Sequence, residues 1–464
     1  LFADFAKHFD CIFCADPRES DALIRESLQS EVLLPAIQPA LHNPFRDFRF
    51  SEALALQVLY DGWADILRAG KNLEFLEQLQ GLGLSIIESR FRLFRNKLGD
   101  CPSLAGNILG CVHWQDRLMA LKYARLSVMA DATISTQTSQ QWLALENAAC
   151  RVPVLYRGNL LPDDLRSDFA TALPRDEELV ESAAYLLGND LARQKKAQLG
   201  WRSVHQKHTF AQRMQTIYSK IGINHNLAAL PLVSVLVATF RVGMLSRCLE
   251  NFRKQTYPNK ELILVVNSTT FSREMANELV QGDTRIRLYV IPNERVEGGC
   301  LNFGIMAAKG QVIIKMDDDD YYSGNYVADM MLHQRSVGAD IFGKVNRYIH
   351  FMDDDTTYSR SCSPELTIIP SDLLLKAHIS GNSLSGKAEF LQETRYSDVN
   401  FASTDTSFHG NNEGRAGIFA LFDYTGVIAE RSADVSGHSW TMTSEELKKT
   451  MKFLSDGVAD DILA

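Results

Sequence analysis

Between residues 232 and 322, short aliphatic runs alternate with segments whose apolar positions recur every three or four residues, which predicts strand and helix in turn. Leu232 to Phe240 reads as a strand entering a polar loop, Leu245 to Gln255 as a helix, and Glu261 to Ser268 as a second strand. Arg285 to Ile291 reads as a third strand. Beyond Asn293 and the pair Gly298-Gly299, whose lack of side chains permits a close backbone approach, a helix is expected over Leu301 to Ala308. Val312-Ile313-Ile314 then forms a short buried strand. Strand, helix and strand in this order imply βαβ units, hence an α/β fold with a parallel sheet.

The first 222 residues repeat the alternation. Strands are expected over Phe9 to Ala15, Glu31 to Pro35, Ala55 to Tyr60, Leu84 to Ile87, Ala124 to Met129 and Val152 to Tyr156. Helices are expected over Asp21 to Ser27, Ala64 to Leu79, Gln140 to Cys150 and Asp176 to Leu199, the last continuing to Tyr218. The expected organisation is a Rossmann-like domain over 1–222, a linker over 223–231 and a second domain over 232–464. Ser444 to Leu463 reads as a closing amphipathic helix, packed on the domain or on a partner.

Composition narrows the class. A chain of 464 residues that is 45% hydrophobic and 23% charged has material for two or three cores. Its net charge of −9 argues against nonspecific nucleic-acid binding. No run of ~18 apolar residues occurs, so no membrane span is expected. Position 1 is Leu and no basic leader follows, so an upstream segment is expected. Cys11 and Cys14 form a CxxC, but no second pair follows at metal-site spacing; they read as buried free thiols in a reducing compartment, the cytoplasm.

The chemistry concentrates at Asp317-Asp318-Asp319-Asp320, four carboxylates directly after the apolar strand. An acidic run is often a solvated turn. At the carboxyl end of a buried strand in an α/β sheet, however, it meets a ligand, and mutual repulsion calls for a cation. A divalent metal, Mn²⁺ or Mg²⁺, is the expected cofactor. A second triplet, Asp353-Asp354-Asp355, lies between Phe351-Met352 and Thr356-Thr357 and reads as the solvated turn of a hairpin.

The strings VSVLVATFRVGMLSRCLENFRKQTYPNKELILVVNS and ERVEGGCLNFGIMAAKGQVIIKMDDDDYY resemble the nucleotide-sugar half of a family 2 glycosyltransferase with the GT-A fold, the likeness extending over Pro231 to Trp440. The resemblance implies a nucleotide-sugar donor, UDP-linked before other bases, with Thr239, Arg241 and Asn267 at base and ribose; many members carry an aspartate where Asn267 stands. Asp317 and Asp319 would share one side of an extended run and Asp318 and Asp320 the other. One pair would hold the metal and the other would bind ribose or order the loop. The family places the metal on the later acids, so Asp319 leads, with Asp317 beside it and Asp317 and Asp318 as further nucleotide contacts.

By the same resemblance, Ser380 to Gly386 faces the acceptor. Asp405 is the base that takes the acceptor's proton in an inverting transfer; capping the following helix is its structural alternative. Arg431, His438 and Trp440 match a closing segment that contacts metal or diphosphate, and neutral imidazole is a good Mn²⁺ ligand. The expected acceptor is a saccharide, free or lipid-linked, in bacterial surface polysaccharide synthesis. The expected location is the cytoplasm or the inner face of the membrane, with partner proteins of such an assembly.

DATISTQTSQQWLALENAACRVPVLYRG and HTFAQRMQTIYSKIGI resemble the C-terminal part of a GT-B glycosyltransferase, in which an acid, here Glu146, contacts the nucleotide ribose. Only the tail of an N-terminal half precedes Pro44, and no basic pair for donor phosphates is evident. A truncated module serving as scaffold therefore stands beside an active one. A nucleotidyltransferase is disfavoured, because Thr239-Phe240-Arg241-Val242-Gly243 offers one glycine and one arginine for a triphosphate.

Overall fold

The structure, a computed structural model, describes residues 5–49, 55–61, 73–88, 102–130, 137–158, 161, 170–173, 175–227, 229–280, 282–291, 296–397, 404–432 and 442–463. It divides into two compact units, residues 1–44 with 51–229 and residues 45–50 with 230–464.

The first unit holds a six-stranded, wholly parallel sheet. Its strands lie in the order Ile108–Cys111, Leu84–Glu88, Leu56–Asp61, Ala124–Ala130, Val154–Arg157 and Ala170–Ala172. This is the doubly wound order 3-2-1-4-5-6, whose switch point lies between Leu56–Asp61 and Ala124–Ala130. Val58, Leu126 and Val128 are fully buried, as strands covered on both faces require. A separate parallel pair, Ile12–Cys14 with Ser30–Val32, flanks the helix Pro17–Arg25, which Asp16 caps by accepting from the Arg18 amide at 2.9 Å.

The long helix expected from Asp176 towards Tyr218 is instead three helices, Asp176–Gly188, Asp190–Lys207 and Phe210–Lys220. Local capping breaks the run. Asn189 leaves helical geometry and accepts from the Ala192 amide at 3.1 Å, and Thr209 forms a capping box with Gln212.

In the second unit a nine-stranded sheet runs Ile286–Ile291, Lys260–Asn267, Val233–Thr239, Val312–Lys315, Ser385–Lys387, Ile341–Gly343, Phe419–Leu421, Thr367–Ile369 and Arg46–Asp47. The first four strands are parallel, and Ser385–Lys387 reverses direction against Val312–Lys315. The helix Glu297–Ala307 begins four residues before the expected start. Two of its glycines are needed for contact: a Cβ at Gly304 would lie 2.2 Å from Leu236 Cδ1, and one at Gly298 would lie 2.0 Å from the Ser397 carbonyl oxygen.

The ninth strand departs from the expected domain boundary. Residues 45–50 belong to the second unit, where Arg46–Asp47 pairs in parallel with Thr367–Ile369 and buried Phe45 meets Phe422 and His333 edge-on. The closing helix expected over Ser444 to Leu463 is also corrected. A short helix, Ser444–Lys448, precedes a strand, Lys452–Asp456, that pairs with Thr356–Ser359 and packs Phe453 on Tyr358, so cross-strand pairing overrides helical spacing. That pairing belongs to a five-stranded sheet in which Tyr321–Tyr322 lies beside Val427–Arg431. The triplet Asp353-Asp354-Asp355 does sit at the turn of the hairpin Tyr348–Phe351 and Thr356–Ser359.

Candidate active site

At the carboxyl ends of the parallel strands a cavity of about 1080 Å³ opens. Thr239, Arg241, Asn267, Asp317, Asp318, Asp319, Asp320, Asp405 and Arg431 all line it, although they come from five separate stretches of chain. Topology accounts for this convergence, since parallel strands deliver their following loops to one edge of the sheet.

Within the acidic run the four carboxylates have different fates. Asp318 is buried and committed to the fold: it accepts from the Thr239 hydroxyl, and from Arg241 Nε at 3.0 Å. The same guanidinium reaches Asp319, Nη2 lying 2.9 Å from Oδ2. The two-sided alternation expected of an extended run does not hold. The strand ends at Lys315, the backbone turns, and Asp320 joins Asp317 and Asp319 so that one oxygen from each lies within 4.8 Å of the others.

The trio sets three carboxylates against two cations, Lys315 on Asp317 and Arg241 on Asp319. Burial, opposed by Lys315 and reinforced by Asp319, pushes Asp317 up to about 6. Burial and the neighbouring Asp319 and Asp317 raise Asp320 well above the carboxylate range, although Asn382 Nδ2 and the Glu430 amide, at 2.9 Å, donate to it. Three oxygens so close, those of Asp317 and Asp320 on carboxylates held back from ionising, suit a hard divalent cation.

Sequence reasoning missed several neighbours. Lys315 is buried beneath the trio, and although burial opposes its charge, Asp317 and Glu297 hold the ammonium charged. A lysine closing an apolar strand just before four acids was the available signal. Asn382 lies in the loop assigned to the acceptor, and its carbonyl accepts from the Tyr322 hydroxyl at 2.8 Å. Nothing local marked it.

Asp405 stands in the first turn of the helix Thr404–Asn412. Its Oδ1 accepts from the Thr406 amide at 2.8 Å, its Oδ2 accepts from the Gly381 amide at 3.2 Å, and His378 Nε2 lies 3.5 Å from Oδ2. Arg431 is buried with its guanidinium donating to the Met442 carbonyl. His438 and Trp440 lie outside the described residues.

Glu146 belongs to the first unit. It is buried, 3.2 Å from His42 Nε2 and 2.7 Å from Arg117 Nη1, and Arg117 also pairs with Asp61 at the end of the strand Leu56–Asp61. Burial works against its charge, but the His42 hydrogen bond and Arg117 outweigh it and hold the carboxyl below its ordinary range. Cys11 and Cys14 are free thiols, Cys14 buried and Cys11 half-buried. Among the described residues no helix is long and apolar enough to cross a membrane.

The family model for glycosyl transferase family 2 matches residues 234–355, and one described as glycosyl transferase-like matches residues 90–219. The two resemblances read from the sequence overlap these matches, the first over 234–355 of the expected 231–440 and the second over 90–219 of the expected 1–222. Glycosyltransferase GlyG of Streptococcus pneumoniae serotype 4 is 31% identical over 129 residues, covering 27% of this chain and 42% of GlyG. WcaA of Escherichia coli K12, named for colanic acid biosynthesis, is 28% identical over 162 residues, covering 33% of this chain and 56% of WcaA. The matched segment spans about half the length of these relatives. Staphylococcus aureus TarS 1–349 in complex with UDP-GlcNAc aligns at 14% identity with a TM-score of 0.33, over 44% of this chain and 59% of that one.

Proposed function

We propose that this chain, which carries a family 2 glycosyltransferase domain in its second unit, moves a sugar from a nucleoside diphosphate to a saccharide hydroxyl with inversion. The observation that carries the reading is the convergence of the Asp317, Asp319 and Asp320 trio and Asp405 on one cavity. A divalent cation held by the trio, Mn²⁺ or Mg²⁺, would neutralise the charge on the departing diphosphate. Thr239, Arg241 and Asn267, which line the same cavity, are read as the residues that would grip the nucleoside.

Inversion requires a base on the side of the anomeric carbon opposite the leaving group. The base centre is Asp405, supplied by a helix separate from the acidic run and beside the acceptor loop at Gly381. By analogy with WcaA, named for colanic acid biosynthesis, the product is read as part of a polysaccharide; a free or lipid-linked saccharide as acceptor and work at the inner face of the membrane belong to the same proposal.

The first unit is read as scaffold. Its Glu146, the acid that would meet a nucleotide ribose, is already engaged by His42 and Arg117 at the switch point of that sheet.

The test is a donor screen with Mn²⁺ and Mg²⁺ against UDP-, GDP- and dTDP-sugars, following nucleoside diphosphate release and the anomeric configuration of the product. Release with an inverted product supports the reading. Failure to bind or turn over any donor, or retention of configuration, overturns it.

A further inference from the structure

Asp405, the carboxylate at the base centre, already has both oxygens engaged. Each carboxylate oxygen accepts a backbone N–H, from Thr406 at 2.8 Å and from Gly381 at 3.2 Å, and such bonds favour the ionised form over the protonated one. A second basic group lies within reach. His378 Nε2 stands 3.5 Å from Asp405 Oδ2, and His378 lines the same cavity with 41% of its side chain exposed. Its backbone is left-handed, with φ of 52°, at the end of the short helix Leu374–Ala377, a position usually given to glycine or asparagine. The imidazole occupies it against local preference.

We propose that the base is a dyad in which His378 takes the acceptor's proton and Asp405 orients it, an inference resting on the glycosyltransfer reading above. In this dyad the proton of the neutral imidazole would sit on Nε2, 3.5 Å from Asp405 Oδ2, which leaves Nδ1 with a lone pair. The acceptor O–H bond breaks and its proton passes to Nδ1. The oxygen's electron pair forms the new bond to the anomeric carbon, and the bond to the diphosphate breaks with its electrons leaving on the diphosphate. Asp405 stays ionised and stabilises the imidazolium, which returns its proton to water.

The groups facing His378 suit this division of labour. From the helix Thr404–Asn412 they are Asp405 and His409, and Asp372 and Lys376 precede His378 in its own segment. The His409 ring stands 5.4 Å from that of His378, and neither of its nitrogens has a hydrogen-bond partner among the described residues. Burial and the nearby His378 push His409 down to about 4, so it stays neutral and does not compete for the proton.

The decisive variant is His378→Gly, which suits the left-handed backbone and leaves space for a free imidazole. Turnover is expected to fall roughly 10²-fold, donor affinity and Tm to stay near wild type, and added imidazole to restore part of the rate. A variant as fast as wild type, or a lost rate that imidazole leaves unrestored, overturns the dyad. If the wild type transfers no sugar at all, the glycosyltransfer reading fails instead.

Discussion

Arg241 joins two carboxylates of the acidic run, its Nε donating to Asp318 at 3.0 Å while Nη2 lies 2.9 Å from Asp319. The guanidinium thus lends Asp319 part of the positive charge that a cation would supply. Replacing it with methionine leaves Asp318 buried without its charge partner. Arg241→Met is expected to cost about 1–3 kcal/mol, below the value for a fully buried pair because the arginine is partly exposed. Thermal unfolding checks this, with Mn²⁺ expected to recover part of the loss. An unchanged Tm would contradict the role given to the pair.

Metal binding and proton transfer separate by mutation. Asp319→Ala should abolish metal-dependent nucleotide binding measured by calorimetry. Asp405→Asn should leave that binding nearly intact and lower kcat by roughly 10²- to 10⁴-fold. Asparagine retains much of the capping ability of aspartate, so a fall in rate without a fall in Tm marks chemistry rather than structure.

The raised Asp317 predicts a pH dependence with a definite sign. Its pKa of about 6 lies above the ordinary 3.8, so the folded chain binds the extra proton more readily than the unfolded one. This stabilising contribution is present at low pH and is lost as pH rises through about 6. A cation competes with that proton, so the rise in Tm on adding Mn²⁺ should be larger at pH 7.5 than at pH 5.5. Equal shifts at both would remove Asp317 from the metal's ligands.

Phe45 tests the assignment of residues 45–50 to the second unit. Its ring is 5% exposed, centred 5.4 Å from His333 and 5.5 Å from Phe422. Phe45→Ala should cost about 3 kcal/mol in denaturant unfolding, the usual loss for a buried ring. A loss under about 0.5 kcal/mol, typical of surface positions, would show the packing to be incidental.

Glu146 distinguishes scaffold from ligand site in the first unit. Glu146→Gln should lower Tm, because Arg117 and His42 lose a buried charged partner. Nucleotide affinity and turnover should not change. A selective loss of affinity would make the first unit a binding domain.

By itself the sequence determined the strands Val233–Thr239 and Val312–Lys315 and the four carboxylates that follow, because β-branched runs and strand-end polarity are local properties of a few adjacent residues. A helix following Asp405 was expected from the family resemblance rather than from local spacing, and Thr404–Asn412 is that helix. Only the tertiary structure decided that the run turns after Lys315, which brings Asp320 to Asp317 and Asp319 and gives Asp318 to Arg241. Long-range pairing likewise decided that Arg46–Asp47 would close a sheet built almost entirely from residues beyond 230, and that Lys452–Asp456 would be a strand. His378 and Asp405 are 27 positions apart and share no periodic pattern. Their approach to 3.5 Å depends on how Leu374–Ala377 packs against Thr404–Asn412, a contact between segments that no local spacing encodes.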